Sequence, residues 1–118
     1  MPRKIDKTEV CGALLTWSND HMCTMDILSG GTSRIYYRQF REAMLSSDLA
    51  VCEPTIRSKW KQLCAMEIIN GNSDKGTISW KELKLCCKPE LVAYIEQSIE
   101  NEIKKQKNKN TQTGGAFA

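Results

Sequence analysis

The chain predicts an α+β fold, mostly α, with a two-stranded hairpin and a C-terminal helix. Three observations predict it. Glu53-Pro54-Thr55-Ile56-Arg57-Ser58-Lys59-Trp60-Lys61-Gln62-Leu63 reads as a short helix with a basic, polar outer face. Directly after it, Ile68-Ile69 and Thr77-Ile78-Ser79-Trp80 read as two strands joined by Asn70 to Gly76, a stretch rich in turn-forming residues. Beyond Pro89, Leu91, Ile95, Ile99 and Ile103 recur every fourth position and set one apolar stripe on a polar helix.

The elements follow in order. Residues 7–28 read as a first helix with Val10, Leu14, Trp17, His21, Met25 and Leu28 on one face, ended by Gly30-Gly31. Residues 33–36 suit a brief strand. Residues 37–48 suit a second helix with Tyr37, Phe40 and Met44 inward. Leu49-Ala50-Val51-Cys52 is an apolar connector expected to be buried. Pro54 belongs in the first turn of the next helix, where its missing N–H leaves nothing unpaired, and Glu53 suits the positive end of that helix's dipole. In this helix Ile56, Trp60 and Leu63 face the core, with Glu67 in line with them. Ile78 and Trp80 point inward from the second hairpin strand. Residues 81–87 form a short turn or helix, and a last helix runs from Pro89 to about residue 105. Its apolar stripe packs back on the first helix, forms a dimer interface, or does both. Residues 1–107 then make one domain, and 108–118, rich in Asn, Thr, Gln and Gly, are expected to be a disordered tail.

At 118 residues the chain suits one domain with one core, and 41% hydrophobic with 26% charged residues is ordinary for a globular protein. No stretch approaches the roughly 18 apolar residues of a membrane span. The start, Met1-Pro2-Arg3-Lys4-Ile5-Asp6-Lys7, lacks the apolar run of a signal peptide. A cytoplasmic location is expected, with thiols rather than disulfides. The net charge of +3 is modest, but its distribution is uneven. Between residues 32 and 62, Arg34, Arg38, Arg41, Arg57, Lys59 and Lys61 are opposed only by Glu42, Asp48 and Glu53. Lys104, Lys105, Lys107 and Lys109 form a second basic cluster, suited to salt-sensitive, sequence-independent contact with phosphates.

The exposed side of the helix after Pro54 carries side-chain types that hold or read DNA. Arg and Lys suit guanine edges or phosphates, Gln suits adenine edges, and Ser and Thr suit phosphates. Thr55, Arg57, Ser58 and Lys59 are the first candidates because such helices present their N-terminal residues to base edges. Gln62 and Lys61 follow on the same helix. Lys75 near the hairpin tip and Arg38 on the preceding helix complete the candidate DNA-binding set.

This order resembles the winged helix-turn-helix superfamily over residues 34–80. The matching residues are Pro54-Thr55-Ile56-Arg57 at the start of the recognition helix, Leu63 near its end, and Ile68-Ile69 entering the wing. Many members have glycine just before that pair, where this chain has Glu67. The resemblance implies sequence-specific binding of double-stranded DNA, usually as a homodimer on repeated or palindromic half-sites. The recognition helix would enter the major groove and the wing would touch the flanking backbone or minor groove. Small members of this kind include transcriptional repressors, centromere-binding adaptors of plasmid partition systems, and relaxosome accessory proteins of conjugative plasmids. Nothing in the residues selects among promoter, centromere and transfer origin.

Other chemistries find less support. Cys11, Cys23, Cys52, Cys64, Cys86 and Cys87 show no pair with the two-residue gap of a zinc knuckle, so structural thiols are expected and no metal. His21, the single histidine, is expected in the core, and no phosphate loop or hydrolase motif is present. No enzymatic activity, cofactor, membrane partner or small-molecule substrate is expected. The alternative is a winged-helix domain used only to bind protein. The basic residues Arg57, Lys59 and Lys61 favour DNA over that alternative.

Overall fold

A computed structural model describes residues 5–22, 24–49 and 51–116. Asp6 opens the first helix, its side chain accepting from Thr8 N, and α1 runs Lys7–His21. The helix does not continue to residue 28. Met22 is extended (φ −124°, ψ 175°), and a separate α2 spans Thr24–Ser29. The break rotates the face predicted for one continuous helix. Val10, Leu14 and Trp17 are buried as expected, but Met25, beyond the break, is 56% exposed; His21, the last residue of α1, is also exposed rather than in the core. His21 instead stacks flat on Trp17, with ring centroids 4.4 Å apart, and its Nδ1 lies 2.9 Å from Trp17 O. Gly30 ends α2 at φ +76°, a conformation only glycine adopts without a Cβ penalty.

Strand β1 (Thr32–Tyr36) leads into α3 (Tyr37–Ser46), where Tyr37, Phe40 and Met44 are buried as their spacing requires. Gln39 Oε1 accepts from Tyr36 N at 2.9 Å and closes the first turn of α3. The connector is less buried than its composition suggests: Leu49 and Val51 are half-buried and Cys52 is exposed. Helix α4 (Glu53–Ala65) begins with Pro54 in its first turn. It is followed by β2 (Ile69–Gly71), β3 (Lys75–Ser79), α5 (Trp80–Cys86, with Ser79 capping Glu82 N) and α6 (Pro89–Ala116). The helical bounds of α6 run past residue 105, into the segment expected to be a tail; Lys104, Lys105, Gln106 and Lys107 are good helix formers, whereas the Asn, Thr and Gly residues that follow are not.

The result is an α+β fold, mostly helical, with one small antiparallel sheet. That sheet has three strands rather than two, in the order β1-β3-β2. β1 joins because its alternation matches that of β3. Ile35 is buried between exposed Arg34 and Tyr36, and Ile78 is buried next to exposed Thr77. The register sets Arg34 against Thr77 and Tyr36 against Lys75, while Asn70 of β2 meets Thr77 from the other side. The inner face of the sheet, with Ile35, Ile69 and Ile78, closes on Phe40, Ile56, Trp60 and Leu63. A polar relay crosses this region: Trp80 Nε1 donates to Ser33 Oγ (2.7 Å), which donates to Asp26 Oδ2 (2.8 Å). It satisfies the indole N–H in an otherwise apolar setting.

Helix α6 packs on α1 and α2, which is the intramolecular reading of its apolar stripe. Ile95 and Ile99 are fully buried, and Leu91, Val92 and Ile103 lie partly buried against the core. Lys84 of α5 pairs with Glu96 of α6 at 3.2 Å.

Helix α4 ends in a hydrogen-bonded reversal. Glu67 N donates to Cys64 O and Ile68 N donates to Leu63 O, both at 3.1 Å, the paired bonds of a Schellman cap. Glu67 sits at φ 62°, the left-handed conformation that disfavours a side chain. Glu67 is the residue directly before Ile68-Ile69. Glu67→Gly is therefore expected to stabilise the protein by about 0.5–1 kcal/mol, the relief of strain exceeding the added freedom of the unfolded chain. A raised urea midpoint is the readout; a lowered one would mean that the glutamate side chain contributes more than its backbone costs.

Candidate nucleic-acid interface

Helix α4 turns Ile56, Trp60 and Leu63 into the core and divides its remaining surface into three sectors. Ser58 and Lys61 occupy the outermost line and are exposed. Lys59 and Gln62 lie on one flank, where they line a recess together with Ile5, Asp6 and Lys7. Lys59 Nζ donates to Gln62 Oε1 at 3.4 Å. Arg57 lies on the other flank, against the hairpin. Thr55 is half-buried at the start of the helix, with Oγ1 3.2 Å from Cys52 Sγ.

Arg57 is engaged within the protein. Its guanidinium stacks over the Tyr37 ring, 3.6 Å from the centroid, and Nη1 donates to Ser73 O at 2.5 Å. Trp60 Nε1 donates to Asn72 O at 3.0 Å, and Tyr37 N donates to Asp74 O at 2.7 Å. These bonds fasten the hairpin turn to α3 and α4. The turn is also closed from within, since Asn72 Oδ1 accepts from Asp74 N (2.9 Å) and Lys75 N (3.1 Å). Gly71 permits this closure, because a Cβ there would lie 2.1 Å from Lys75 O. The structure thus assigns Arg57, chosen from sequence as a groove-reading residue, an anchoring contact with the hairpin.

Helix α4 carries one carboxylate, Glu53, and three cations, Arg57, Lys59 and Lys61. Its N-terminal carboxylate, Glu53, is engaged by Arg41 at 2.7 Å and accepts from the Tyr37 hydroxyl at 3.5 Å. Burial pushes the Tyr37 hydroxyl pKa up and the Glu53 carboxylate adds to that, while Arg57 and Arg41 oppose it. Among the described residues neither Lys59 nor Lys61 forms an ion pair.

The structure separates the candidates into two groups. Thr55, Ser58, Lys59, Lys61 and Gln62 share α4. Arg38 and Lys75 instead meet around Tyr36, with the Arg38 guanidinium 5.4 Å from the Tyr36 ring centroid and Lys75 opposite Tyr36 in the sheet register. The fastened turn connects the groups. Sequence reasoning did not select Tyr36 or Arg34 as site residues. Their signal was the alternation through β1, which puts both on the outer face once Ile35 points inward.

The cysteines divide by environment. Cys11 is fully buried, and burial raises its thiol pKa, with Cys87 and Cys86 close enough to add to the effect. Burial pushes Cys87 up to about 12. Exposed Cys52 is shifted down by hydrogen bonding with Thr55. Among the described residues no group of three His, Cys, Asp or Glu side chains is placed to hold a metal ion. No helix among them is long and apolar enough to cross a membrane. Cys23, Arg3 and Lys4 lie outside the described residues, as do the side chains of Lys107 and Lys109.

Compared with known proteins, the chain matches no family model, no curated protein and no solved structure.

Proposed function

We propose that the protein is a sequence-specific double-stranded DNA-binding protein of winged helix-turn-helix type. The outer face of α4 enters the major groove and the hairpin meets the flanking backbone. The single observation that carries the reading is the outer face of α4: Ser58, Lys61, Lys59 and Gln62 stand together, with no ion pair to either lysine among the described residues, beside a hairpin fastened to the same helix. The order helix, strand, two helices, hairpin, with the sheet running β1-β3-β2, supports the same fold type.

In this reading Lys59 and Lys61 hold phosphates, Gln62 and Ser58 face base edges, and Thr55 contacts backbone near the helix start. Arg57 acts indirectly, by setting the angle between recognition helix and wing. Arg38 and Lys75 take the flanking backbone. The protein acts as a homodimer on repeated or palindromic half-sites, as a transcriptional regulator or as an accessory factor at a plasmid centromere or transfer origin.

Salt separates this reading from a protein-interaction module. With Arg38, Lys59, Lys61 and Lys75 on phosphates, log affinity for duplex DNA falls with log salt at a slope of roughly −3 to −4 per copy. A protein-interaction module shows no duplex binding even at low salt, and that result would overturn the proposal.

A further inference from the structure

The outer face of the sheet, where Arg38 and Lys75 stand as proposed backbone contacts, also carries an exposed aromatic ring that a duplex leaves unused. Arg34, Tyr36, Asn70, Lys75 and Thr77 line a polar recess of about 360 Å³. All five are exposed, and the strand register holds them as two neighbouring rows, Arg34–Thr77–Asn70 and Tyr36–Lys75. No carboxylate lines the recess. Among the described residues the side chains of Arg34 and Lys75 have no hydrogen-bond or ion-pair partner, and that of Arg38 has only its contact with Tyr36. Three cations therefore stand around one exposed aromatic ring, none of them in an ion pair among the described residues.

That combination selects its ligand. The cations call for phosphates, and the ring calls for a flat, polarisable partner. In a duplex both faces of each base are covered by neighbours, so the ring has nothing to stack on; an unpaired base leaves a face open. Two cation–π contacts differ in a telling way. Arg57 sits tightly on Tyr37 at 3.6 Å, whereas Arg38 stands off from Tyr36 at 5.4 Å. The Tyr36 ring is thus only loosely occupied.

We infer that the outer sheet face binds single-stranded DNA, with a base stacked on Tyr36 and the adjoining phosphates held by Arg34, Arg38 and Lys75. The choice of DNA rests on the duplex reading of α4. The hairpin turn that borders the recess is bonded to Arg57 and Trp60 of that helix, so an unpaired strand next to a bound duplex has a short path to Tyr36.

The test uses the full chain, Tyr36→Ala and Tyr36→Phe, with fluorescence anisotropy of a labelled oligothymidine of roughly ten nucleotides. Oligouridine of equal length and a random-sequence duplex are run beside it. The expected result is that Tyr36→Ala weakens oligothymidine binding at least about tenfold, while Tyr36→Phe stays within about twofold of the parent. Duplex binding by both variants is retained. Tyr36 is exposed, so the fold should survive; if circular dichroism shows otherwise, Arg34→Glu carries the test with the same expected loss. Equal oligothymidine binding by Tyr36→Ala and the parent overturns the inference, as does a parent that binds duplex but not oligothymidine. Tighter binding of oligouridine overturns the choice of DNA. Binding to neither nucleic acid overturns this site and the duplex reading together.

Discussion

Trp60→Ala is expected to bring the protein to the edge of unfolding. The side chain is 1% exposed and sits edge-on to Tyr37 (5.6 Å) and Phe40 (5.5 Å). Truncating a buried ring of this size costs about 3–5 kcal/mol. A domain of this kind holds only about 5–15 kcal/mol in total. The loss is also structural, because Trp60 Nε1 is one of the bonds holding the hairpin turn. Trp60→Phe keeps most of the ring and removes only that bond. It should cost about 1 kcal/mol beyond its volume change, since Asn72 is exposed and its carbonyl can turn to water. Urea unfolding followed by circular dichroism gives both values. A Trp60→Ala protein as stable as the parent would mean that α4 presents its opposite face to the core.

The second large effect is on binding. Lys59→Glu combined with Lys61→Glu is expected to lower duplex affinity at least about 100-fold at low salt and to flatten the salt slope by about 2. Lys61 is exposed and Lys59 is half-buried on the flank of α4, neither in an ion pair among the described residues, so the fold should tolerate the change. The change removes two cations and adds two anions along the proposed groove contact. An unchanged affinity would take α4 out of the interface.

Much of the architecture was legible because its signals are local. Pro54 marked the start of α4, the spacing of Ile56, Trp60 and Leu63 marked its buried face, and the Asn/Gly/Asp-rich stretch marked the hairpin turn. The break at Met22 was not legible, since neither Gly nor Pro interrupts residues 13–29 and the apolar spacing runs straight through. The third strand could be read as a strand but not as a partner of β3. Thr32 pairs with Ser79 across 47 positions, and no local pattern specifies that. The site shows the same limit. Residue type put Arg57 at a groove and said nothing of its contacts with the Tyr37 ring and the Ser73 carbonyl, 20 and 16 positions away in sequence. Glu67 lies between these cases: its departure from glycine was visible, and the left-handed φ of 62° gives that departure its energetic meaning.

In the proposed function α4 reads duplex DNA by sequence. Selection of the purified protein against a random duplex library at moderate salt, followed by sequencing, tests it most directly. The expected result is an enriched repeat or palindrome, with a half-site spacing near one helical turn or a multiple of it. No enrichment, together with no duplex binding at low salt, would contradict it and leave the protein-interaction module as the better reading.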